Sequence, residues 1–195
     1  MKLFVDRIEA SPTSERFEAG GDWWSDRSGA SASDFEMVEP PVFVVNVHRM
    51  GRDLYLDGTF EARVEATCSR CLKRYRQPLR DAWRLVLEPA EGAEMPDPES
   101  AETLAQDGIC LGEELEVGWY RGKELKLDRL FDEVVALALP LVPLCREDCP
   151  GLCPVCGRDL STDECDCEST LPDSPFAALA ALRTSGPETE TDTES

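Results

Sequence analysis

The chain is short of several things that enzymes and membrane proteins rely on. It has a single histidine, His48, in 195 residues, which removes most general-base schemes, because His is the side chain that titrates near neutrality. In its apolar, β-branched surroundings His48 reads as an ordinary strand residue, and no catalytic residue is assigned. No stretch approaches the ~18 uninterrupted apolar residues of a membrane helix. Residues 1–20 show no basic segment running into an apolar stretch with a small-residue cleavage site. A soluble, cytoplasmic protein is therefore expected. Positive charge is scarce too: 20 Lys and Arg stand against 40 Asp and Glu, a net −20. A field of that sign repels bulk nucleic acid and attracts basic partners, and it disfavours a stand-alone zinc-ribbon nucleic-acid binder.

What is present is the composition of a globular protein, 42% hydrophobic and 31% charged, with enough chain for one domain or one domain and a small appendage. The acidity is unevenly placed. Residues 1–87 hold 13 basic and 14 acidic groups, residues 88–144 hold 4 and 14, and residues 145–195 hold 3 and 12.

The clearest periodic segment runs from Asp53 to Cys68. Leu54, Leu56, Gly58, Phe60, Ala62, Val64, Ala66 and Cys68 fall on one face and the polar residues on the other, the period of a half-buried strand. Gly58 is the expected place for a bulge or kink. Val42–Val47 precedes it as a β-branched strand, Tyr75–Leu87 follows as the return strand, and Cys68–Arg74 falls in the hairpin between them. Lys2–Ile8 reads as a short strand. The polar stretch after it contains Trp23 and Trp24, for which docking on the core is the preferred reading. Residues 88–108, rich in Pro, Glu, Asp and Ala, read as a solvated acidic excursion. Strands are expected again near Ile109–Val117 and Glu124–Leu127, followed by a helix over 128–139 with Asp128 as N-cap. Ser174 and Pro175 begin a short helix, Phe176–Arg183.

These signals predict an α+β fold: a mainly antiparallel β-sheet, bent or barrel-like, with one core helix, a cysteine-rich zinc module and a short C-terminal helix. The expected organisation is an N-terminal strand and polar segment (1–41), a β domain (42–144), a zinc module with its helix (145–183) and a disordered acidic tail (184–195).

Nine cysteines without an export signal point to metal rather than disulfides. Cys68-x-x-Cys71, Cys145-x-x-x-Cys149, Cys153-x-x-Cys156 and Cys165-x-Cys167 supply eight; Cys110 is left over and reads as a small buried hydrophobe. The preferred grouping sets Cys68, Cys71, Cys145 and Cys149 around one zinc and Cys153, Cys156, Cys165 and Cys167 around a second. Spacing leaves a rival open, with Cys145, Cys149, Cys153 and Cys156 as one local site and Cys68, Cys71, Cys165 and Cys167 as the other. Four thiolates fill a tetrahedral ion, so both zincs would be structural rather than catalytic. An alternative from another class is a thiol-disulfide oxidoreductase using Cys68 and Cys71, although the redox motif belongs at a helix start and this one joins two strands.

Between Arg63 and Arg84 seven basic residues meet only Glu65 and Asp81. Arg70, Lys73, Arg74, Arg76, Arg80 and Arg84 are the candidate RNA contacts; the competing reading is a solvated face that balances acidic neighbours.

With these residues in view, the chain resembles the YceD family, the large ribosomal RNA subunit accumulation proteins of bacteria and plastids. The resemblance is carried by Cys68-Ser69-Arg70-Cys71-Leu72 after a long alternating strand, Leu139-Pro140 closing a helix, Cys145 to Cys149, Gly151-Leu152-Cys153-Pro154-Val155-Cys156-Gly157, and Cys165-Asp166-Cys167. It covers roughly residues 40–183. Asp159-Leu160-Ser161 stands where members often have Asn-Leu-Asn, a departure that touches no ligand. The resemblance implies a non-enzymatic factor for synthesis, processing or stability of large-subunit ribosomal RNA. Its implied partner is that RNA, an assembly intermediate or a basic ribosomal protein, with no membrane and no small-molecule substrate. An acidic surface over 88–116 and 145–168 would face the basic partner.

Overall fold

The computed structural model describes residues 1–21, 23–24, 35–91, 97–112 and 116–167. The expected helix Phe176–Arg183 and the acidic tail lie outside them. The chain divides into two compact units, Met1–Cys149 and Pro150–Ser195.

In the first unit the strand pattern of the sequence becomes a long meander. β1 (Lys2–Phe4) and a single 3-10 turn (Val5–Arg7) are followed by β2 (Thr13–Glu18), β3 (Phe35–Met50), β4 (Asp53–Thr67) and β5 (Arg74–Pro89). Then come α1 (Pro98–Asp107), β6 (Ile109–Leu111), β7 (Val117–Tyr120), β8 (Glu124–Lys126) and α2 (Asp128–Ala138). Six strands form one sheet in the order β2-β3-β4-β5-β7-β6, and β1 pairs with β8 in a separate ribbon. The sheet is mixed, because β7 runs parallel to β5 over Val86–Pro89. Nor is it barrel-like: among the described residues β2 and β6 are the edges of the sheet, and the strand order does not close.

The alternation in β4 decides which face is buried. Leu54, Leu56, Phe60, Ala62 and Val64 turn inward with Phe43, Val45 and Val47 of β3 and Leu79, Leu85 and Leu87 of β5. α2 lies over this face because its buried positions, Leu130, Phe131, Val134 and Val135, repeat at helical spacing. The Phe131 ring stacks on Phe43 at 3.9 Å between centroids and 7° between planes, with Phe17 at 5.6 Å and Trp83 at 6.3 Å. The tryptophan pair docks as preferred: Trp24 is buried in the core, and Trp23 meets Phe43 edge-on at 5.9 Å.

Gly58 is not a bulge. The β4–β5 register runs unbroken from Leu54↔Leu87 to Thr67↔Arg74, and the irregularities fall instead in β3, between Met37, Glu39 and Val42, where Pro40 and Pro41 interrupt the ladder. Gly58 is glycine because Trp83 lies across it: an added Cβ would sit 2.4 Å from the indole ring. Gly58→Ala is expected to cost about 1–3 kcal/mol by overpacking, read as a lowered urea midpoint at unchanged slope.

Two further expectations change. Residues 97–107 contain a second helix rather than a solvated excursion. The Asp97 carboxylate accepts from the Ser100 N–H at 2.8 Å and the Ser100 hydroxyl at 2.7 Å, and Pro98 opens the first turn. Leu104 then buries against Ala90 and Cys110, with Trp119 packed on them. Asp128 is not the cap of α2; it is the first helical residue, and its carboxylate accepts from the Met1 nitrogen at 2.6 Å. Among the described residues no helix is long and apolar enough to cross a membrane.

The described residues of the second unit, 150–167, are built from turns. One bridge joins Leu152 to Asp159, and the Asp159 carboxylate accepts from the Ser161 N–H at 2.8 Å.

Candidate metal centres

The hairpin between β4 and β5 is tied by backbone bonds before any metal is considered. Cys68 N–H donates to the Lys73 carbonyl and Leu72 N–H to the Cys68 carbonyl, each at 2.9 Å, so residues 68–73 curl into a knuckle that aims two sulfurs the same way. The chain after α2 supplies the other two. Pro140 and Pro143 prevent helix continuation, and the Pro143 carbonyl accepts from Ser69 N–H at 2.8 Å. Arg70 reaches across from the hairpin, donating from Nη1 to the carbonyls of Cys149 at 2.9 Å and Glu147 at 3.2 Å.

The result is one cluster in which the Sγ atoms of Cys68, Cys71, Cys145 and Cys149 all lie within 4.8 Å of one another. The Cys68–Cys149 and Cys71–Cys145 separations are both 3.8 Å. A tetrahedral ion with metal–sulfur bonds of ~2.3 Å spaces its thiolates by about 3.8 Å, so the donor set fits zinc. Cys68, Cys71 and Cys149 are buried, and Cys145, although exposed as a residue, sets its sulfur among the other three. Backbone N–H groups, foremost that of Cys145 and then those of Cys71 and Arg70, hold the Cys68 thiol down to about 6 against the cost of desolvation. The Cys145 thiol is pushed up to about 12 by desolvation and by Cys149, Cys68 and Cys71 around it. Four sulfurs so close cannot all ionise unless a cation offsets them, which is the role a divalent metal fills.

In the second unit Cys153, Cys156, Cys165 and Cys167 form a second set within 4.8 Å. Cys165 is 3.4 Å from both Cys153 and Cys156. Gly157 N–H donates to the Cys153 carbonyl at 2.9 Å, and Val155 N–H points at Cys153 Sγ from 3.4 Å, repeating the knuckle of the first set. The N–H groups of Cys156 and Val155 hold the Cys153 thiol down to about 6; the side chains of Cys165 and Cys156 lead in pushing Cys167 up to about 12. This set is more open, with Cys156 and Cys167 exposed.

The two knuckles match in one further respect. The residue after the second cysteine is left-handed in both, Gly157 at φ 72° and Leu72 at φ 58°. For leucine that conformation costs roughly 1–2 kcal/mol.

The structure therefore brings the eight cysteines into the preferred grouping and leaves Cys110 buried elsewhere. The redox alternative gains no support. Cys68 and Cys71 stand between two strands, and each is 3.8 Å from a sulfur of the 145–149 segment.

The arginines of the basic strip are mostly engaged. β4 and β5 set acidic and basic residues directly opposite one another: Glu65↔Arg76, Glu61↔Arg80 and Asp57↔Arg84. Arg74 meets Glu36 at 2.5 Å and Glu65 at 2.7 Å, Arg76 meets Glu65 at 3.0 Å, and Arg80 meets Glu61 at 3.5 Å. The Arg76 hydrogen bond, ahead of the charges of Arg74 and Arg76, holds the Glu65 carboxyl below the usual carboxylate range. Asp57, opposite Arg84, also accepts from Asn46 at 2.9 Å. Lys73 lies on the knuckle itself. His48 is a strand side chain stacked on its cross-strand neighbour Tyr55 at 5.3 Å.

Fold and sulfur sets together define a mixed-sheet protein with two four-cysteine sites that could each hold a metal ion. The chain belongs to the YceD family: the model of the large ribosomal RNA subunit accumulation protein YceD matches residues 56–183. An uncharacterized protein of Mycobacterium tuberculosis is 31% identical over 147 residues, 75% of this chain and 63% of that one. One from Mycobacterium leprae is 26% identical over 135 residues, 69% of this chain and 55% of that one. A chloroplastic protein of Zea mays, large ribosomal RNA subunit accumulation protein YCED homolog 1, is 25% identical over 193 residues, covering 84% of this chain and 64% of its own. The chain thus spans somewhat less than two thirds of the length of these relatives. No solved structure matches.

Proposed function

We propose that the protein is a non-enzymatic cytoplasmic factor that sustains large-subunit ribosomal RNA, its two four-cysteine sets each holding a structural zinc ion. The family match over residues 56–183, which takes in all eight clustered cysteines, carries this reading. Zinc would be held by Cys68, Cys71, Cys145 and Cys149 and by Cys153, Cys156, Cys165 and Cys167, and would supply cross-linking, since four thiolates leave no place for water or substrate.

The direct partner is taken to be a basic protein of the assembling subunit. Two observations support that choice over RNA phosphate: Arg74, Arg76 and Arg80 already hold carboxylates, and the acidic excess lies in residues 88–195. Depletion in the native host tests the function. Large-subunit ribosomal RNA should fall at least about twofold relative to small-subunit RNA, and a Cys71→Ser copy should fail to restore it. An unchanged ratio would end the assignment.

A further inference from the structure

The two knuckles match in their backbone and differ in how far solvent reaches their second cysteine. The first cysteines are alike, Cys68 at 0% and Cys153 at 7% exposure. The second are not: Cys71 is buried at 5%, whereas Cys156 is exposed. In the first unit the segment after α2 is fastened beside Cys71 by the Ser69–Pro143 hydrogen bond at 2.8 Å, and Arg70 reaches over to the Cys149 carbonyl at 2.9 Å. In the second unit the residues around Cys156, namely Pro154, Val155, Gly157 and Arg158, are all exposed. The Cys156–Cys165 approach of 3.4 Å is accordingly an exposed one, while Cys68–Cys149 is buried and Cys71–Cys145 partly buried.

Metal in either set holds its four sulfurs as thiolates, so the sets do not differ in ionisation, and access decides which sulfur an oxidant meets. Charge narrows the choice of oxidant. Asp163, Glu164 and Asp166 crowd Cys165 along the chain, a field that turns away anionic reagents and is indifferent to neutral peroxides.

We propose that Cys156 is an oxidation site for neutral peroxides, with Cys165 as its resolving partner, and that its oxidation empties the second set of metal while the first stays intact. The Cys156 thiolate attacks one oxygen of hydrogen peroxide: an S–O bond forms, the O–O bond breaks, and hydroxide leaves with the sulfur as sulfenic acid. The Cys165 thiolate, 3.4 Å away, then attacks that sulfur; an S–S bond forms, the S–O bond breaks and a second hydroxide leaves. Two electrons pass from the two sulfurs to the peroxide oxygens, and both hydroxides take protons from solvent to become water. Cys153 and Cys167, the two donors that remain in the set, take up protons and release the divalent ion. The proposal rests on the reading of each set as a zinc site and adds a covalent modification which that reading does not contain.

The test uses the full zinc-loaded chain and hydrogen peroxide, with released zinc followed by a chromogenic chelator and disulfides mapped by mass spectrometry after alkylation and tryptic digestion. One of two zinc equivalents should be released at least about tenfold faster than the other, in step with a single disulfide. Trypsin cuts after Arg146, Arg158 and Arg183, so a Cys156–Cys165 bond joins peptide 147–158 to peptide 159–183, whereas a Cys165–Cys167 bond stays within one peptide. Fragmentation of the joined pair separates Cys156 from Cys149 and Cys153. A dithiol reductant with added zinc should restore the second equivalent. Release of both ions at one rate, a first disulfide anywhere but Cys156–Cys165, or retention of both ions while the peroxide is consumed overturns the proposal and leaves the zinc reading standing. Fewer than two zinc ions in the untreated protein would remove the zinc reading and this inference together.

Discussion

Cys71→Ser is expected to unfold much of the unit that carries it, lowering the melting temperature by about 20 °C or more. One structural zinc contributes on the order of 10 kcal/mol in small modules, against the roughly 5–15 kcal/mol that a whole domain has in hand. At about 2–4 °C per kcal/mol for a chain of this size, that loss spans most of the transition. The effect is large at this position because the first cluster joins distant parts of the fold, the β4–β5 hairpin and the chain after α2. Elemental analysis should find two zinc ions in the wild type and one in the variant. Cys110→Ala, outside both clusters, should keep both ions and most of the stability. Wild-type metal content and melting in Cys71→Ser would refute the structural role.

Phe131→Ala should be the most damaging substitution remote from metal. Phe131 is wholly buried, stacks on Phe43 and touches the rings of Phe17 and Trp83, so it holds α2 to three strands of the sheet at once. Truncating a phenylalanine in such a place costs about 3–5 kcal/mol, equivalent to a fall of about 6–20 °C, with both metal ions retained. A urea melt shifted by less than about 1 kcal/mol would show that α2 is held by something other than this stack.

The features behind these two variants differ in how plainly the amino-acid sequence displays them. The β4 alternation was legible because one face is buried and the other wet over its whole length, and the knuckles were legible because thiol spacing is nearly a geometric statement. α1 was obscured by composition: the acidic, proline-containing run suggested solvent, although Asp97-Pro98 with Ser100 already spelled a helix start. The parallel docking of β7 on β5 left no local trace, since a four-residue strand carries no periodicity of its own. Gly58 misled because a glycine within a strand signals either a kink or a close neighbour, and only the position of Trp83 decides between them. The charge pairing of the basic strip was within reach of the hairpin alone. Once Thr67 is set opposite Arg74, counting outward in step places Glu65 by Arg76 and Glu61 by Arg80.

The two sulfur clusters also differ in how far apart their ligands lie along the chain. Cys68 and Cys149 are 81 positions apart, whereas Cys153 and Cys165 are separated by 12, a difference worth about 2 kcal/mol in loop-closure entropy. During translation Cys68 and Cys71 emerge long before their partners, while the second set appears almost together. With an ion in each set, as proposed, the compact site would capture its metal at lower entropic cost and the long-range one would fill last. Completion of the larger unit would then be the step of biosynthesis most exposed to metal supply.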